Sequence, residues 1–91
     1  MTTNDLLKKA RVIRRMVGEI DAYYHRFRQP MPLRIVSAKY SRALSNLGGF
    51  HETMKELESD GSVVLNYEIS GRTLVYPESA HKLVLLPGAA L

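Results

Sequence analysis

Cations dominate the side chains of this chain that could do chemistry. Arg34, Lys39, Arg42 and Arg72 are spread along its middle, and Lys8, Lys9, Arg11, Arg14 and Arg15 crowd near its start. Such side chains hold phosphates, with an affinity that falls steeply as salt rises. Their distribution is uneven. Residues 1–46 carry ten Lys or Arg against three acids, a net +7, whereas residues 47–91 carry three against six, a net −3. An anionic partner such as nucleic acid is therefore expected on the N-terminal half, with a solvated basic face as the alternative.

Other chemistries lack their residues. His25, His51 and His81 are widely separated and belong to no His-x-x-x-His or His-Glu-x-x-His arrangement, so no metal or other cofactor is expected. There is no cysteine, no Gly-x-Ser-x-Gly elbow and no glycine-rich phosphate loop, so no enzyme is expected either. Glu52 and Glu56 lie one helical turn apart and read as solvated surface. The absence of cysteine, of a basic-then-apolar leader and of an apolar run near the ~20 residues of a membrane span points to a soluble protein of the reducing cytoplasm.

Ninety-one residues make one small domain, 1–91. Asn4 or Asp5 is placed to cap a long first helix over 4–28, in which Leu6, Ala10, Ile13, Val17, Ile20, Tyr24 and Phe27 recur every three or four residues, with Leu7, Met16 and Tyr23 widening the stripe. At ~36 Å it is longer than so small a core requires. A second copy of the chain is the expected occupant of the surplus, and a kink or early end at Gly18 is the alternative. Gln29-Pro30-Met31-Pro32 ends the helix. Leu33 to Val36 then reads as a short extended segment carrying Arg34, and Ser37 as the cap of a brief second helix to about Leu44. In that helix Tyr40, Ala43 and Leu44 face inward while Lys39 and Arg42 face out.

The turn to a third helix is made by Ser45-Asn46 or by Leu47-Gly48-Gly49; if Asn46 is the cap, Gly48 and Gly49 fall in the first turn and let a partner's backbone approach closely. Phe50, Met54 and Leu57 form the buried face of this helix, and Asp60-Gly61 stops it. A hairpin follows over 62–77: Val63, Leu65, Tyr67 and Ile69 point one way and Val64, Asn66 and Glu68 the other, Ser70-Gly71 turns the chain, and Thr73 to Tyr76 returns it. Tyr67 and Tyr76 suit core packing or a cross-strand pair. In the C-terminal segment, 78–91, Leu83-Val84-Leu85-Leu86 should not remain in water. A third strand, packing on the first helix and a dimer interface are the three ways to cover it.

The order of long helix, short strand, helix, turn, helix and hairpin makes this an α+β chain, mainly α. It resembles the winged helix-turn-helix fold over residues 5–77, in the manner of small bacterial regulators of the MarR and ArsR type. Met54, Leu57, Glu58 and Gly61 match a recognition helix ending in Leu-Glu-x-x-Gly, and Gly71-Arg72 with Val75 and Tyr76 matches a wing's returning strand. The resemblance implies a homodimeric transcriptional regulator on double-stranded DNA. Its 33–61 helix-turn-helix unit would put the third helix in the major groove and its 62–77 wing on the adjacent backbone. The DNA-binding set is then Arg34, Lys39, Arg42, Asn46, Gly49, His51, Glu52, Lys55 and Arg72, with His51, Glu52 and Lys55 as the exposed readers. Two features depart from that pattern: the third helix is acidic, and Gly48-Gly49 replaces the usual phosphate-holding Ser or Thr. They motivate an alternative reading, a protein-interaction module such as a phage- or plasmid-encoded inhibitor of a host protein.

Overall fold

Thr2 and Asp5 start the first helix. In the computed structural model, which describes residues 2–80, the Thr2 hydroxyl accepts from the Asp5 N–H at 3.1 Å and the Asp5 carboxylate accepts from the Thr2 N–H at 3.3 Å. This reciprocal box places the cap at Thr2 rather than at Asn4 or Asp5, because only Thr2 has an acid three residues on to complete it. Helix α1 (Thr3–Phe27) runs unbroken through Gly18 and ends on Arg28, at φ 56°, whose N–H bonds the Tyr24 carbonyl. Met16 and Ile20, both fully buried, flank Gly18, and their packing outweighs the ~1 kcal/mol that glycine costs a helix.

Met31–Pro32 is the whole of strand β1, and helix α2 (Leu33–Leu44) begins at once. The extended segment expected at Leu33 to Val36 is instead its first turn, and Ser37 lies inside the helix rather than capping it. Pro32 serves as the cap with φ −61°, and Leu33, Val36, Tyr40 and Leu44 then form one inward stripe at spacings of three, four and four. Ala43 falls off that stripe and is exposed. The turn to α3 (Phe50–Ser59) uses the glycines. Gly49 is the N-cap, Gly48 and Gly49 have φ of 99° and 89°, and Asn46 lies in the exposed turn before them. Leu47, buried, plugs the corner, and the Thr53 hydroxyl, also buried, donates to the Gly49 carbonyl at 2.8 Å.

Strands β2 (Val63–Tyr67) and β3 (Thr73–Pro77) pair antiparallel with Leu65 opposite Val75, and β1 adds to the other edge of β3 with Met31 opposite Val75. The sheet order is β1-β3-β2, followed by a short 3-10 turn, Glu78–Ala80. Gly71, at φ 91°, closes the hairpin loop, its N–H bonding the Glu68 carbonyl while the Glu68 N–H bonds the carbonyl of Arg72. The turn therefore comprises Ile69 to Gly71, one residue wider than Ser70-Gly71. Val63 and Val64 are both buried, but Tyr67 is 67% exposed and Ile69 wholly so, because the outer half of the hairpin has no helix over it. Of the two tyrosines expected in packing or pairing, Tyr76 lies 5.9 Å from the Tyr24 ring, and Tyr67 is left in solvent opposite Thr73.

The architecture is thus α+β, mainly helical, with three α-helices and a three-stranded antiparallel sheet among the described residues. The core lies where α1, α2 and α3 meet that sheet, around Ile20, Val36, Leu44, Met54, Val63 and Val75. Among the described residues no helix is long and apolar enough to cross a membrane. Both ends of α1 overrun the core, leaving Leu6, Leu7 and Phe27 more than half exposed. The apolar Leu83 to Leu86 run and His81 lie outside the described residues.

Lys9 corrects one expectation. Its side chain is buried between α1 and α3 rather than offered to a phosphate, and its Nζ lies 3.2 Å from the carboxylate of Glu56, which stands on the surface as expected. The Glu56 end of the pair is largely exposed, so most of the contribution of Lys9 comes from its buried stem. Lys9→Met is expected to unfold within ~1 kcal/mol of wild type, whereas Lys9→Ala, which empties the slot, should cost about 1–2 kcal/mol. Urea melts check this, and equal losses in both variants would instead assign the stabilisation to the charge pair.

Candidate nucleic-acid interface

Three elements converge on one concavity. The first two turns of α2 bring Arg34 and Ser37, the first turn of α3 brings Phe50 and His51, and the hairpin tip brings Ser70 to Thr73. The cleft has a volume of about 640 Å³. Arg34, His51 and Arg72, far apart in sequence, share its rim. Arg34 reaches it from a helix start rather than from the strand expected for it. Arg72 is held there by its own hairpin: its Nε donates to the Glu68 carboxylate at 2.8 Å, and that hydrogen bond further favours the charged guanidinium. The pair orients the side chain while more than half of it stays in solvent.

The start of α3 adds to the same rim. Gly49 has no side chain with which to cap it, so among the described residues the first-turn N–H groups beside Phe50 and His51 receive no side-chain cap. Their partial positive charge complements the cations around the cleft. Glu52, in that first turn, opposes them for any anion brought near. Lys55 stands 3.8 Å from Glu52 with both side chains well exposed, a pairing that water and salt readily open.

The remaining expected residues lie elsewhere. Lys39 faces α1 on the other flank of α2, where its Nζ bonds the Glu19 carboxylate at 3.1 Å. Arg42 is exposed on the outer side of α2, and Asn46 is exposed in the turn after it. Gly49 is the cap of α3, one residue before Phe50 of the cleft lining. Sequence reasoning missed Glu68 and Glu19 as partners of Arg72 and Lys39, and Ser37 as a cleft hydroxyl. Only the first carried a local signal, a carboxylate four residues before the arginine across a glycine turn.

A second cluster, Asp21, His25 and Ser79, has the residue types of a hydrolase triad without its geometry. Ser79 Oγ donates to Asp21 Oδ1 at 2.9 Å, and the single nitrogen His25 Nε2 approaches both, at 3.4 Å and 3.3 Å. A relay needs the imidazole between carboxylate and hydroxyl through its two different nitrogens.

Beside Lys39, burial together with the nearby Glu19 carboxylate pushes the Tyr40 phenol up to about 12. Among the described residues the hydroxyl has no hydrogen-bond partner within the geometric limits. The Glu19 carboxyl, in turn, is drawn below its usual range by the Tyr40 hydroxyl and then by Lys39. Because the folded phenol holds its proton more tightly than the unfolded one, this contribution to stability is complete below pH ~10 and is lost as pH rises from there through about 12. Tyr40→Phe is expected to flatten that part of the stability profile. Urea midpoints at pH 9 and pH 11 for both proteins check this, the difference between them removing the background titration of lysines.

Comparison with known protein families, with curated proteins and with solved structures gives no match to this chain.

Proposed function

We propose that this chain binds double-stranded DNA as a winged helix-turn-helix protein, and that it acts as a homodimeric, sequence-specific transcriptional regulator of the cytoplasm. The observation that carries the reading is the convergence of Arg34, His51 and Arg72 on one cleft between two helix starts and a hairpin tip. In this reading α3 enters the major groove, with His51, Glu52 and Lys55 toward base edges. Arg34 and Arg72 then hold the phosphates on either side. The half-exposed Leu6 and Leu7, beyond the core on α1, support a partner copy there. Two copies would set two α3 helices about one DNA turn, ~34 Å, apart.

The test is a fluorescence-anisotropy titration against native-locus and random duplexes at ~50 and ~200 mM salt. The two phosphate contacts of each protomer predict a fall in affinity of about 12-fold per half-site between those salts. A native-locus preference supports sequence specificity, and no binding at the lower salt overturns the reading. A protein-interaction module is the second reading, favoured by the wholly exposed Ile69 at the hairpin tip and by Glu52 and Glu58 in solvent on α3.

A further inference from the structure

Arg11 and Arg15 lie one turn apart on α1, and they face Lys39 across a groove of about 400 Å³ whose floor is Val12, Ala43 and Tyr40. Of the ion pairs between described residues only that of Lys39 with Glu19 uses a cation of this groove; Arg11 and Arg15 have no carboxylate within 4.0 Å among the described residues. Three cations thus share one groove with a single counter-charge, Glu19, which Lys39 already engages at 3.1 Å. Two unpaired guanidinium forks one turn apart, with an ammonium opposite and an apolar floor between, match a tetrahedral oxyanion.

This groove is separate from the cleft. At 100° per residue, Lys39 and Ala43 fall 140° and 180° around α2 from Arg34, so a duplex lying on the cleft does not reach them. We propose that the α1–α2 groove is a second anion site, in which Arg11, Arg15 and Lys39 hold the phosphoryl group of a small phosphorylated molecule. The proposal stands independently of DNA binding. The volume suits one phosphoryl group with a compact substituent, and the two arginines supply forked N–H pairs to its oxygens.

The test is an amide NMR titration of the full chain with inorganic phosphate and, separately, with AMP, at ionic strength held constant with chloride. The expected result is saturable shifts confined to 11–19 and 39–43, with an apparent Kd of ~1 mM or tighter, weakened at least tenfold in Arg11→Gln/Arg15→Gln. Both arginines are exposed, so the variant should fold, and its undisturbed spectrum elsewhere checks that it does. Shifts that do not saturate, or that persist in the double variant, overturn the site. Duplex titration distinguishes the source of the phosphate. Unchanged duplex affinity in the double variant supports a small ligand; a loss of duplex affinity, with no response of wild type to phosphate or AMP, assigns the groove to a nucleic-acid backbone and overturns the proposal.

Discussion

On the proposed reading as a duplex-binding protein, replacing Arg34 and Arg72 together by alanine is expected to lower duplex affinity about 200-fold at ~50 mM salt and about 20-fold at ~200 mM, for one protomer on its half-site. The figures follow from counterion release. Each lost phosphate contact removes a factor of about 15 at the lower salt and about 4 at the higher, so the slope of log affinity against log salt should also flatten by about 2. Both side chains are exposed on the cleft rim, and Arg72 leaves behind only the half-buried Glu68 at the hairpin tip, so the variant should retain its fold. Lys39→Ala is the control. It lies on the opposite flank of α2 and is already paired with Glu19, so it should leave duplex affinity within about twofold. Equal losses in the double variant and in Lys39→Ala would mean that net charge, rather than the cleft, drives binding.

Ile20→Ala carries the largest effect on stability. The side chain is fully buried at the middle of α1, in the core shared with α2 and β3. Removing three carbons from such a site costs about 2–5 kcal/mol, which in a domain of this size lowers Tm by roughly 10–25 °C. That is a large part of the ~5–10 kcal/mol such a domain has in total, so the variant should unfold near physiological temperature while still binding duplex in the cold. Leu6→Ala lies on the same helix, but the side chain is more than half exposed, and a monomer should lose under ~0.5 kcal/mol. Thermal melts at several protein concentrations separate the two. A Tm that depends on concentration in wild type and not in Leu6→Ala would place a second copy on that end of α1, whereas a small loss in Ile20→Ala would mean that the α1 packing described above is wrong.

The sequence by itself determined the periodic elements. The long first helix, the Phe50, Met54 and Leu57 face of α3, and the Asp60-Gly61 stop preceding a hairpin are local patterns, in which each residue's neighbours three, four or two positions away decide its environment; the stripe on α1 turned out centred on Lys9, Met16 and Ile20, with Leu6, Ala10 and Phe27 exposed, and burial along β2 does not alternate. It also determined that cations precede the third helix. Tertiary structure decided what local pattern leaves degenerate. Ile35 and Val36 are β-branched after a proline and suit a strand as well as a helix; they became helical because only a helix from Leu33 puts Val36, Tyr40 and Leu44 on one core-facing line. Nothing within a few residues of Lys9 or Lys39 indicates that Glu56, 47 residues on, and Glu19, 20 residues back, would engage them. Likewise, nothing local says which of nine candidate residues would meet. Arg34, His51 and Arg72 share a cleft because two helix starts and a hairpin tip are packed against a common core, and a charge on a helix acquires a site only when the packing of that helix chooses which way its flank faces.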